Sequence, residues 1–193
     1  AINFNSAIEV GFEQGLMGKN QPVKGQVYTS LALWYGLDES LSEQTDVLNL
    51  GDAQSEKAHQ YMNSDQVWAG VVSSSYEGEK DTQIFPDKGY NLKGTSQFQV
   101  NINPTNRGVI IRRCLDYSQL NQIGKVYVDE QLVGVWFSPG QNQFIRWRDE
   151  DFIIPTNYTD GKTTLRIRIE AVVAPSAWSE FSYTIYTLKA AIL

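Results

Sequence analysis

Arg146-Trp147-Arg148 runs directly into Asp149-Glu150-Asp151, so two guanidinium forks, one indole and three carboxylates sit within a single hexapeptide. Guanidinium groups bind carboxylates and sugar hydroxyls through paired hydrogen bonds, and an aromatic face stacks on the apolar C–H face of a sugar ring. A second indole, Trp136, lies just upstream on a hairpin that ends in the turn Ser138-Pro139-Gly140. Trp136, Arg146 and Trp147 are therefore the predicted sugar-facing set. Asn121, Gln122, Gln141, Asn142 and Gln143 supply amides nearby.

The acidic run has a second reading as a structural calcium site, because hard cations take oxygen ligands from such runs. No Asp-x-Asp-x-Asp-Gly loop is present, and the adjacent arginines can pair with the acids without a metal. The expectation is no cofactor, with structural calcium as the lesser alternative.

Other chemistries fail on residue type. His59 is the only histidine and no Gly-x-Ser-x-Gly elbow occurs, which leaves nucleophilic catalysis without its parts. His59 reads instead as a solvated or capping residue, and with Cys114 it lacks any zinc-ligand spacing. Cys114 sits in an apolar strand pattern and reads as a buried, inert thiol. Glycoside hydrolysis needs two carboxylates roughly 5 to 9.5 Å apart. Glu9 and Glu13 share a strand face but lie about 13 Å apart at strand rise. Glu77, Glu79 and Asp81 follow a strand in a Gly-containing turn and read as solvated loop acids. No catalytic residue is assigned.

The elements that must position these residues are strands. Period-2 alternation predicts strands over residues 7–13, 27–35, 67–76, 96–102, 108–115, 125–129, 132–137, 143–148, 163–173 and 181–188. One short helix is predicted over 54–62, capped by Asp52. Val126 to Trp136 reads as a hairpin with the three-residue turn Asp129-Glu130-Gln131. Residues 87–91 and 103–108 are turn-rich breaks. The fold expected is all-β, a jelly-roll-like antiparallel β-sandwich with one short helix, in a single domain over 1–193 with a topological midpoint near residue 104.

The net charge of -6 opposes nucleic-acid binding, and no apolar run reaches the roughly 18 residues of a membrane helix. Residues 1–103 hold 13 acids and 6 lysines, whereas residues 104–193 hold 9 acids, 3 lysines and all seven arginines. Opposite charge in the two parts favours contact between unlike surfaces of two copies, and a homo-oligomer is expected. Ala1 to Ser6 lacks the basic start and apolar stretch of a secretion signal, so the expected location is extracellular, with a signal or upstream part already removed. Asn157-Tyr158-Thr159 is an N-glycosylation acceptor for a eukaryotic secretory route. On the strand over 163–173, Arg166, Arg168 and Glu170 share one face, open to a cross-strand ladder, a ligand or a subunit contact. Trp178 and Tyr183 are the expected covers for its guanidinium planes.

Ile2-Asn3-Phe4-Asn5-Ser6-Ala7-Ile8-Glu9-Val10-Gly11-Phe12-Glu13-Gln14-Gly15, followed by Asn20 and Tyr28-Thr29-Ser30-Leu31-Ala32-Leu33-Trp34-Tyr35, resembles the closing jelly-roll strands of glycoside hydrolase family 172. The rest resembles an accessory β-sandwich region of secreted carbohydrate-active proteins, through Thr45-Asp46, Gly51-Asp52, Tyr76-Glu77-Gly78, Asn106-Arg107-Gly108, Arg112-Arg113 and Arg146-Trp147. The acidic Gly-rich motifs that carry that family's catalytic glutamates do not occur here. The resemblance thus implies a non-catalytic relative, or a piece of something larger, and an aptitude for trimers and rings.

Three functions are carried forward. The first is a non-catalytic carbohydrate-binding module of an extracellular glycan-active system. The second is a self-associating subunit of a ring, shell or filament. The third is a fragment or partner of a furanoside-cleaving glycoside hydrolase.

Overall fold

The computed structural model describes residues 41–77, 82–172 and 176–189. Contacts divide the chain at residue 41, into Ala1–Leu41 and Ser42–Leu193. The expected strands over 7–13 and 27–35 lie outside the described residues. The turn-rich segment around residue 104 is a connection inside the second unit.

That unit is an antiparallel β-sandwich. Its strands are β1 (Ser42–Asn49), β2 (Met62–Asn63), β3 (Gln66–Ser74), β4 (Phe85–Leu92), β5 (Thr95–Asn101), β6 (Val109–Asp116), β7 (Gln122–Val128), β8 (Gln131–Ser138), β9 (Trp147–Ile154), β10 (Thr164–Ala171), β11 (Trp178–Glu180) and β12 (Ser182–Leu188). They form sheets ordered β1-β12-β6-β9, β2-β5-β10-β7-β8 and β11-β4-β3. Alternation puts Leu48, Ile111, Tyr183 and Ile185 of the first sheet into one core with Phe98, Val100, Val126 and Ile167 of the second. A smaller cluster of Val72, Cys114, Trp147 and Phe181 fills the space beside β3.

The helix α1 (Ala53–Ala58) is shorter than its expected span. The Asp52 carboxylate accepts the N–H groups of Gln54 and Ser55, as its sequence position implies. Gln60 ends the helix with φ of 51°, while Tyr61 N–H reaches back to the Glu56 carbonyl at 2.8 Å, so a Schellman closure stops it. His59 is a cap but not a solvated one. It is buried, with Nδ1 2.6 Å from the Ser55 carbonyl and Nε2 3.1 Å from Asp46 Oδ1.

Three local expectations need correction. Residues 87–91 form the middle of β4, because Gly89 admits β11: a Cβ there would lie 2.3 Å from the Glu180 carbonyl oxygen. The hairpin turn has two residues, with Asp129 and Glu130 both left-handed (φ 48° and 67°) and Gln131 already paired with Val128. The strand expected over 143–148 starts at Trp147 and carries the acidic triplet in its middle. Its register against β6 sets Arg112 opposite Asp151, and two hydrogen bonds of 2.7 and 2.9 Å join that pair.

The charged face of β10 forms a ladder within its own sheet. Glu170 takes Lys125 at 3.1 Å, and Arg168 binds Glu130 at 3.1 Å. The Arg168 guanidinium carbon sits 3.7 Å from the centroid of the Tyr127 ring. Tyr127 on neighbouring β7 is therefore its cover; Trp178 and Tyr183 point into the core.

Candidate functional site

The ends of β3 and β6 meet the start of β9 around a cleft of about 300 Å³. Tyr76 and Glu77 line it from the β3 side and Tyr117 from the β6 side. Ile145, Trp147, Arg148 and Asp149 line it from β9 and the loop before it. The junction is tied by a parallel bridge between Tyr76 and Trp147, with Trp147 N–H donating to the Ser75 carbonyl at 3.2 Å.

The loop over 139–146 is held from several directions. Asn142 Oδ1 accepts the N–H groups of Phe144 and Ile145, and Asn121 Oδ1 accepts Gly140 N–H at 2.7 Å. Tyr117 exchanges backbone bonds with Arg146 and Asn142, and its hydroxyl donates to the Pro139 carbonyl at 2.9 Å. Gly140 is required here twice over: its φ is +79°, and a Cβ would lie 2.5 Å from the Tyr117 hydroxyl. Arg146 completes the clamp with two bonds of 2.9 and 2.5 Å to the buried Asp116 carboxylate. A loop pinned at so many points presents its side chains with little ordering cost on binding.

Inside the cleft, the Arg148 guanidinium carbon lies 4.5 Å from the Tyr117 ring centroid while its Nε bonds to Glu150 at 2.9 Å. The Tyr76 hydroxyl donates to Asp149 at 3.2 Å and touches Cys114 Sγ at the same distance. Burial raises the Tyr76 hydroxyl, the Cys114 thiol (to about 12) and the Asp149 carboxyl above their ordinary values. Cys114 is thus the inert buried thiol expected of it.

Of the predicted sugar-facing set, the fold brings only Trp147 to the cleft, and as its floor. Trp147 is 3% exposed, with its indole N–H on the Phe85 carbonyl at 2.7 Å and its ring edge-on to Phe181. Arg146 shapes the loop. Trp136 is 4% exposed in the main core between Phe152 and Trp178, so it presents no face to a ligand. That part of the expectation is corrected: alternation along β8 aims Trp136 inward and leaves Val135 and Phe137 outside. Phe144, 91% exposed on the pinned loop, is the bare aromatic that sequence reading passed over. Its signal was its place between Asn142 and Arg146 in a segment without alternation.

The acidic triplet does not converge. Asp149 meets Tyr76, Glu150 meets Arg148 and Ser138, and Asp151 meets Arg112. Among the described residues no three acid, histidine or cysteine side chains are grouped to hold a metal ion.

No protein-family model and no curated protein matches the chain. Among solved structures it is similar to a family 35 carbohydrate-binding module from Clostridium thermocellum, with 12% identity over 77% of this chain and 100% of that one, at a TM-score of 0.50. It is also similar to the carbohydrate-binding module CBM6cm-2 of Cellvibrio mixtus lichenase 5A, solved in complex with cellotriose (13% identity, 77% and 100% coverage, TM-score 0.48). A family 35 carbohydrate-binding module from an environmental isolate gives 12% identity, 75% and 98% coverage and a TM-score of 0.49. The first of these likenesses establishes a shared β-sandwich fold.

Proposed function

We propose that this chain is a non-catalytic carbohydrate-binding module of an extracellular glycan-active system. The observation that carries the reading is the cleft between β3, β6 and β9. About 300 Å³ is the lower end of ligand-site volumes and accommodates one or two sugar rings. Tyr76 and Tyr117 supply aromatic surface above the buried Trp147, Arg148 and Asp149 supply a donor and an acceptor, and the Asp116–Arg146 clamp keeps the mouth in shape. The resemblance of residues 2–35 to glycoside hydrolase family 172 supports an association with glycan-cleaving systems. Affinity gels loaded with arabinan, fructan, galactan, mannan and chitosan test the reading. Retention on at least one, weakened in Tyr117→Ala, is expected; no retention on any of them overturns it.

A second reading, self-association, is favoured by β3. This edge strand carries no charge from Gln66 to Tyr76, and it leaves Val67 51% and Val71 61% exposed. Unprotected strand edges of that kind are templates for pairing with another copy. Light scattering that returns the 21.8 kDa monomer at every concentration would remove this reading.

A further inference from the structure

The charges around the cleft are unevenly matched. Each arginine at its border is committed to a carboxylate of the same chain: Arg146 to Asp116, Arg148 to Glu150 and Arg112 to Asp151. Glu77 and Asp149, which line the cleft, form no ion pair among the described residues. Asp149 is met by the neutral Tyr76 hydroxyl, and Glu77 is exposed. Among the described residues the lining holds two carboxylates, Glu77 and Asp149, against the single cation Arg148, whose partner Glu150 also lies 3.9 Å from Arg113; Arg112 acts on Asp149 only at a distance.

A ligand carboxylate entering this space meets like charge on both sides. A protonated amine finds two acceptors, in a concavity where the dielectric is below that of water and the attraction is correspondingly stronger. We infer that the cleft selects glycan ends bearing a protonated amine, as in de-N-acetylated hexosamines, over neutral and uronic sugars. This rests on the carbohydrate-binding reading above and adds the chemical class of the sugar.

The test is calorimetric titration with short oligomers, to limit attraction by overall charge, near neutral pH, where Asp149 keeps its charge, and with a chelator present. The probes are glucosamine disaccharide, its N-acetylated counterpart, cellobiose and a digalacturonate. The expected result is binding of the glucosamine disaccharide about tenfold or more tighter than the N-acetylated one, a gap of about 1.4 kcal/mol. That gap narrows with added salt. Glu77→Gln and Asp149→Asn each shrink it towards parity, whereas Asp160→Asn, an exposed acid that does not line the cleft, leaves it intact. Equal or tighter binding of a neutral or uronic probe overturns the inference and leaves the carbohydrate reading standing. An equal loss in Asp160→Asn also overturns it, by showing attraction to net charge alone. Failure of every probe here, together with failure of the polysaccharide gels, removes the carbohydrate reading itself.

Discussion

The guanidinium carbon of Arg113 lies 3.3 Å from the centroid of the Trp178 ring, with both side chains in the interior of the sandwich. Burial lowers the Arg113 guanidinium to about 10, and the charge is held by Ser138 Oγ at 2.6 Å, the Ser179 carbonyl at 3.2 Å and Gln122 Oε1 at 3.4 Å. Arg113→Ala removes the cation, leaves those acceptors and the nearby Glu150 without it, and is expected to cost about 3 to 5 kcal/mol of stability. Arg113→Met, which refills the volume, costs less. Urea denaturation of the two variants checks the order; an unshifted midpoint in Arg113→Ala would show the cation to be dispensable.

Glu180 is fully buried and accepts hydrogen bonds from Tyr61, Ser96, Trp178 and Tyr183, at 2.5, 2.9, 3.2 and 2.6 Å. Burial nonetheless raises its carboxyl above 4.5, and raises Asp87 and Asp149 likewise. A raised carboxyl makes the folded state bind more protons than the unfolded one. Its stabilisation is complete below the unfolded value and is lost as pH rises through the folded value. The melting temperature is therefore expected to climb as pH falls from 8 towards 5, with a shallower slope in Glu180→Gln. A melting temperature that falls steadily over that window contradicts the assignment.

Trp136 and Tyr117 separate packing from recognition. Trp136→Ala opens a core cavity and is expected to cost about 3 to 5 kcal/mol, with glycan affinity unchanged in the protein that remains folded. Tyr117→Ala is expected to weaken glycan binding about tenfold through the lost stacking surface. Paired thermal melts and gel retention distinguish the two, and equal effects on binding would mean that the cleft is not the recognition site.

Val71→Glu places a charge on the outward face of β3, directly opposite Lys88 on β4, where the two charges attract. If copies associate through this edge, the variant is expected to sediment as a monomer where the parent does not, with an unchanged melting point. A parent and variant with identical sedimentation exclude the β3 edge as the contact.

Much of the sandwich was legible because half-buried strands alternate. The segments that became β3, β5, β6, β10 and β12 all do so. β4 was hidden because its centre, Asp87-Lys88-Gly89-Tyr90-Asn91, is written in turn residues, and only the approach of Glu180 explains the glycine. β9 was displaced because its acids pair across to β6, and a single strand does not reveal its partner. The site was half legible. The hexapeptide from Arg146 did mark the place, but Tyr76 and Tyr117 join it through contacts distant in sequence. Trp136, chosen for its residue type, faces inward by the same alternation that identified its strand. Arg113 reads as one of several strand arginines, since nothing local distinguishes a buried cation from an exposed one.

Ser42 and Leu188 are register partners at one end of the β1–β12 pair. Two strands of opposite direction joined this way present their outer ends side by side. Tension applied through residues 42 and 188 would peel the ladder bond by bond rather than shear all its bonds at once. Force applied at these two points therefore falls first on the outer bonds of the β1–β12 seam and on the two backbone bonds, of 2.8 and 2.9 Å, that join Leu188 to Arg107 and Gly108.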